Sequence, residues 1–193
     1  MADRTTAPRT LPVELVIRQA TLADAAVVAT LGAHLFAQAY GPTHPDPELG
    51  EYLARAFRPE LVAQAMAERD SAVLLVEELE GGPVGYAQLL PGAALPVPPW
   101  SSQVGCEIQR FYLDRQWQGR GVAQELMARS LRHAATAGSE LVWLQVWQEA
   151  HWAVRFYQRA GFVAVGTTPF EWGSRVETDW LMTRSLKPES AHG

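Results

Sequence analysis

The apolar positions follow two periods along the chain. Alternating or unbroken apolar runs predict strands at 14–19 (ELVIRQ), 72–79 (AVLLVEEL), 84–90 (VGYAQLL), 104–113 (VGCEIQRFYL), 141–147 (LVWLQVW), 162–168 and 176–186. Segment 141–147 is apolar almost throughout, as expected of a strand covered on both faces. Helical spacing sets in at Thr21-Leu-Ala-Asp24, which has the form of a capping box, and runs to about Gln38 with Val28, Leu31 and Leu35 on one stripe. Gly41-Pro-Thr-His-Pro-Asp-Pro47 breaks it. Residues 48–57 and 59–69 predict two short helices divided by Pro59. Residues 119–138 predict a long amphipathic helix with Val122, Leu126, Met127, Leu131 and Ala134 on one stripe and Gly138 at its end. A further helix over 150–160 is stopped by Gly161. Glu80-Gly-Gly-Pro83 predicts a hairpin turn, and 91–102, with four prolines, predicts a loop.

Two antiparallel hairpins thus flank a strand–helix–strand crossover at 104–147, which requires a parallel pair. The expected fold class is a single α/β (α+β) domain with a mixed, mostly antiparallel sheet of about seven strands and four to five helices. The domain is expected over 13–187, with a loose arm at 1–12 and a tail at 188–193.

Composition narrows the function classes. The chain has 193 residues, 48% of them hydrophobic and 19% charged, which suits one globular domain with a full core. A net charge of -5 makes nucleic acid an unexpected partner. Cys106 is the only cysteine, so neither an internal disulfide nor a thiolate zinc cluster can form. Cys106 itself is expected as a small buried apolar residue. His34, His44, His133 and His151 are dispersed without metal spacing, so no metal is expected. Unbroken apolar runs fall short of the ~20 residues of a membrane helix, and MADRTTAPRTLPVE lacks a signal-peptide core. No membrane partner is expected, and the expected compartment is cytoplasmic.

The most informative segment is Gln116-Trp-Gln-Gly119-Arg-Gly121-Val-Ala123, between a strand and a helix. Glycines there leave backbone amides uncovered, and free N–H groups at a helix start favour an anion such as pyrophosphate. Arg115 and Arg120 add positive charge. The spacing is neither that of a P-loop nor that of a dinucleotide fold. On the glycines alone, a helix start that needs two glycines explains the segment equally well.

Two motifs together carry more. Gln116-x-x-Gly119-x-Gly121-x-Ala123, after Arg110-Phe-Tyr-Leu113, resembles the acetyl-CoA signature of the GNAT superfamily of N-acetyltransferases. Val146-Trp-Gln-Glu-Ala-His-Trp-Ala153 through Tyr157 to Gly161-Phe162 resembles that family's next motif. The end, Phe170 through Thr178-Asp179, is similar to the last hairpin of many bacterial members, and the flavour is that of the PaiA-like branch, whose founding members acetylate polyamines. The resemblance spans roughly Val16 to Leu186 and implies the acyl-CoA N-acyltransferase fold.

It implies acetyl-CoA as cofactor. Phe111, Tyr112 and Leu113 would bind the pantetheine arm through backbone groups on an open strand edge. The amides of Gln118, Gly119, Arg120, Gly121, Val122, Ala123 and Gln124 would take the pyrophosphate, with Ala150, Ala153, Phe156 and Tyr157 on the second motif completing the site. Ala150 departs from the Asn of many members, which removes a hydrogen bond worth about 1 kcal/mol. Tyr157 matches the family's general acid, and its phenol pKa of about 10 lies near that of an alkyl thiol. Glu107, in an otherwise apolar strand, is the candidate base, either directly or through a water. Tyr40, His44, Trp100, Phe170 and Trp172 are candidates for the acceptor pocket, where aromatic rings suit a cationic amine. The expected reaction is direct attack of a primary amine, such as a polyamine, on the thioester. The alternatives are acetylation of a peptide N-terminus or lysine, and a non-catalytic acyl-CoA-binding module. Homodimers are common for this type of fold.

Overall fold

The computed structural model describes residues 14–43, 47–98, 103–172 and 175–187. One sheet of seven strands organises them, in the order β1-β2-β3-β4-β5-β7-β6. The strands are β1 (Leu15–Gln19), β2 (Ala72–Glu78), β3 (Pro83–Ala94), β4 (Val104–Leu113), β5 (Leu141–Trp147), β6 (Val163–Trp172) and β7 (Arg175–Ser185). The helices among the described residues are α1 (Ala25–Tyr40), α2 (Glu48–Ala56), α3 (Pro59–Ala67), α4 (Val122–Thr136) and α5 (His151–Arg159). Every neighbouring pair of strands is antiparallel except β4 and β5, which are parallel across the α4 crossover, as expected.

The helices sort to the two faces by their apolar stripes. Val28, Leu31 and Leu35 of α1 are buried against Val73, Leu75 and Tyr86. Val122, Leu126 and Met127 of α4 pack on the opposite face, with Cys106, Ile108 and Tyr157 in one continuous core. The capping box ahead of α1 is formed: the Thr21 N–H donates to Asp24 Oδ2 at 2.7 Å, and one turn of 3-10 helix precedes the α-helix. Leu22–Tyr40 is long and apolar enough to cross a membrane by length and composition. Here its apolar side is spent on the sheet.

Three expectations are corrected. The loop predicted at 91–102 begins later, because β3 continues through Ala94. Pro91 is tolerated there because β2 ends its pairing with β3 at Leu89, so no ladder bond is lost for want of an N–H. Helix α4 starts at Val122 instead of 119, because Gly119 and Gly121 adopt φ of 75° and 84° and lie outside the helix. Strand β6 runs to Trp172, beyond the end at 168 expected for it, and pairs with β7 as a hairpin over that extension. The predicted arm and tail lie outside the described residues.

Candidate active site

Strands β4 and β5 pair only at Cys106↔Val142 and Glu107↔Trp143, then part. The remainder of β4 stays bonded to β3 on its other side. The facing edge from Ile108 to Leu113 is therefore open to another extended chain.

A bulge decides which side chains face this opening. Ile108 pairs with Leu89 and Arg110 with Gln88, so Gln109 is one residue too many. The extra residue reverses the alternation. Cys106, Ile108, Phe111 and Leu113 pack into the α4–α5 core. Glu107, Arg110 and Tyr112 share the other face and line a cavity of about 230 Å³. Strict alternation would have separated Glu107 from both Arg110 and Tyr112.

The cavity lies over the splay. Phe36 and Tyr40 of α1 cover it, and Gln145, Val146 and Trp147 of β5 and Phe170, Glu177 and Asp179 of the last hairpin complete its lining. Rings pack closely through it, with Tyr40 at 6.3 Å from Trp147 and Tyr52 at 5.9 Å from Phe170. Burial raises the Glu107 carboxyl, and the positive charge of Arg110 partly offsets this. The Arg110 guanidinium lies 5.3 Å from the Phe57 ring centroid. Burial, reinforced by the charge of Glu177, pushes Asp179 from 3.8 up to about 6. Asp179 Oδ1 is sealed from solvent and has no hydrogen-bond partner among the described residues. Glu177 accepts from the Trp147 indole N–H at 2.9 Å.

At the top of the splay, a short loop joins β4 to α4. Asp114 caps its turn by accepting from the Gln116 N–H at 2.9 Å, and it also accepts from Gln38 of α1 at 3.2 Å. The buried Trp117 indole donates to Glu78 at 2.9 Å, and Arg120 lies over the same ring at 5.0 Å. These anchors hold the backbone of 119–124 with no described acceptor for its N–H groups; the first return bond of α4 is Glu125 N–H to the Gly121 carbonyl. A Cβ on Gly119 would meet nothing within 4 Å, so the approach is open. Aligned free amides at the head of a fifteen-residue helix fit a pyrophosphate, and the open β4 edge below them fits an extended amide-bearing arm.

Tyr157 is buried on the α4–α5 side, within 6.2 Å of Phe111, 5.4 Å of Phe156 and 5.9 Å of Phe162. It does not line the cavity. Burial raises its phenol, and Tyr40, which does line the cavity, adds to the rise across the splay. Ala150 is fully buried at the head of α5, and Ala153 packs on the same core. Cys106 is inert by the same physics: it is fully buried, and its thiol is pushed up to about 12. Among the described residues no cluster of His, Cys, Asp and Glu could hold a metal.

Of the expected acceptor residues, Tyr40 and Phe170 line the cavity. His44, Trp100 and the Trp172 side chain lie outside the described residues. Sequence reasoning missed Asp179 and Glu177. The signal was present: two acids at i and i+2 beside the apolar Trp180-Leu-Met182, the same pattern that singled out Glu107.

The acetyltransferase (GNAT) family matches residues 33–162. An uncharacterized N-acetyltransferase of Mycobacterium tuberculosis is 30% identical over 165 residues, which cover 86% of this chain and 99% of that protein. Solved structures share the fold. The PaiA N-acetyltransferase of Thermoplasma acidophilum, in complex with coenzyme A, aligns with a TM-score of 0.69 at 15% identity, covering 89% of this chain and 99% of that one. The spermidine N-acetyltransferase of Vibrio cholerae, with CoA and spermine, aligns with a TM-score of 0.61 at 19% identity, covering 90% and 96%. The chain belongs to the acetyltransferase (GNAT) family and is an acetyl-CoA-dependent N-acetyltransferase.

Proposed function

We propose that the acceptor is a small-molecule amine, of the polyamine kind, bound in the cavity over the β4–β5 splay. The observation that carries this reading is the cavity itself: about 230 Å³, covered by α1 and lined by aromatic rings, with the carboxylates of Glu107, Glu177 and Asp179 outnumbering, among the described residues, the one cation, Arg110. Such a lining suits a compact cation.

Acetyl-CoA supplies the acyl group as an activated thioester. The amides of 119–124 would hold its pyrophosphate, and the open edge of Phe111, Tyr112 and Leu113 its pantetheine arm. Ala150 caps α5 with a methyl group, so this position offers no side-chain hydrogen bond. The acceptor nitrogen must be neutral to attack, so a group in the cavity has to accept its proton. Glu107 is assigned that role, because burial raises its basicity and it faces the cavity from the base of the splay. Tyr157 is assigned the proton for the departing sulfur. The buried phenol stays protonated at neutral pH, so a proton is available to the sulfur, although burial makes it a weaker acid than a free tyrosine and moves it away from the match with an alkyl thiol.

The test is thiol release from acetyl-CoA in the presence of diamines, amino sugars and peptides with free N-termini. The proposal predicts turnover with small cationic amines and at least about tenfold lower kcat/KM with peptides. The reverse preference overturns it.

A further inference from the structure

Asp179 is a buried carboxyl in the cavity that the reaction above does not use. It lies in the middle of β7, where it pairs with Trp147 of β5 on one side and Thr168 of β6 on the other. It is 7% exposed, lines the cavity, and leaves Oδ1 sealed and unpartnered among the described residues. A carboxylate desolvated in this way is costly unless something pairs with it. The natural partner is a cation entering the cavity.

The surroundings favour the same ligand. Glu177 sits two residues away on the same face and lines the same cavity. Tyr40 of α1 lines the cavity with Asp179 and feels its charge, and Trp147 and Phe170 supply further ring surface. The charged groups facing the cavity from β4 are Arg110 and Glu107, a pair of opposite sign. β7 thus brings two carboxylates to the cavity, while β4 brings one charge of each sign.

Glu107 and Asp179 are also well separated. On β5 their register partners are Trp143 and Trp147, four residues apart. At roughly 3.3 Å per residue this is about 13 Å along the strand between the two backbones. An acceptor nitrogen that yields its proton to Glu107 leaves Asp179 facing another part of the molecule. The reacting nitrogen becomes neutral, whereas a group held by Asp179 can stay charged throughout.

We propose that Asp179, supported by Glu177, is a specificity-determining residue that binds a second, non-reacting cationic group of the acceptor, so that diamines are selected over monoamines. This inference rests on the small-amine reading above and deepens it. The proton that Asp179 takes up near pH 6 switches the subsite off, so diamine affinity falls as the pH drops from 7.5 to 5.5.

The test is calorimetric titration of 1,4-diaminobutane and butylamine into the full chain saturated with CoA, which needs no turnover. The wild-type protein is expected to bind the diamine at least about tenfold more tightly, in line with a charge-assisted hydrogen bond. In Asp179→Asn the ratio of the two affinities should fall about tenfold, with CoA binding retained as proof of folding. Asp179→Glu should restore part of it. Equal wild-type affinities, a diamine that does not bind, or an unchanged ratio in Asp179→Asn each overturn the assignment. So does a variant that loses kcat with both amines while the affinity ratio stands, because Asp179 then acts on the reacting nitrogen. Failure of CoA to bind the wild type is separate and counts against the reading on which the assignment rests.

Discussion

Burial keeps Asp179 protonated up to about pH 6, although an exposed aspartate ionises near 3.8. Between these values the folded chain holds a proton that the unfolded chain has released. Stability therefore rises on acidification from about pH 6 to 4, is lost as the pH climbs back through that window, and levels off above it. Asp179→Asn removes that slope and should raise the unfolding free energy at pH 7.5 by about 1–3 kcal/mol, read from urea melts at pH 4.5, 6 and 7.5. A variant with wild-type slope contradicts the burial argument. Asp24 behaves oppositely. Its bidentate pair with Arg18, at 2.9 Å for both oxygens, holds it well below the carboxylate range, so its contribution is present above about pH 4 and is lost only in stronger acid. The catalytic assignments make separate predictions. Tyr157→Phe should lower kcat by about a hundredfold with KM little changed, and an unchanged kcat removes Tyr157 from proton transfer. Glu107→Gln should abolish the acidic limb of the kcat/KM profile, a limb displaced above the ordinary glutamate range in the wild type by burial of the carboxyl.

Strands and helices position these residues through a few local irregularities. The bulge at Gln109 turns Glu107 and Arg110 to one face, and the parting of β4 from β5 after Glu107 creates the opening. Gly119 and Gly121 let the chain enter α4 with positive φ and bare amides. Gly119→Ala forces a side chain into the left-handed region at a cost of about 1–2 kcal/mol and puts a methyl group where the anion approaches, so CoA affinity should fall about tenfold. Gly32 of α1 is a close-packing glycine: a Cβ there would sit 2.6 Å from the Tyr86 hydroxyl and 2.7 Å from the Phe57 ring. Gly32→Ala should destabilise the fold by about 1–3 kcal/mol in a thermal or urea melt, because the contacts behind α1 have no slack. Most elements were legible because their apolar periods are strong. The Val122–Ala134 stripe and the apolar run of β5 are examples. The continuation of β3 through Pro91 and Gly92 was not, since local chemistry there signals a turn, and pairing with Gly105 and Cys106 overrides it. The side on which Glu107 lies was not legible either, because a bulge leaves no mark in the alternation of a strand read alone. Asp179 was visible as an acid in an apolar strand, but its sharing a cavity with Tyr40 depends on β7 inserting between β5 and β6, which no local pattern encodes.

At the scale of the whole molecule, α1 links both halves of the site. Its last turns cover the proposed acceptor cavity through Phe36 and Tyr40, while Gln38 accepts from the Arg115 N–H at 3.0 Å and so pins the loop proposed to hold the pyrophosphate. The splayed strands join that loop to the cavity, with Phe111 and Tyr157 on one side and Tyr40 on the other. Ala150 offers no side-chain hydrogen bond at the head of α5, so on the proposed reading the backbone of 119–124 and the β4 edge would carry the binding. The most direct test of this arrangement is calorimetric titration of acetyl-CoA and CoA into the folded protein, with NAD as control. The account predicts one site per chain for both thioester and free thiol, none for NAD, and a weaker site in Gly119→Ala. A folded protein that binds neither acetyl-CoA nor CoA would contradict it.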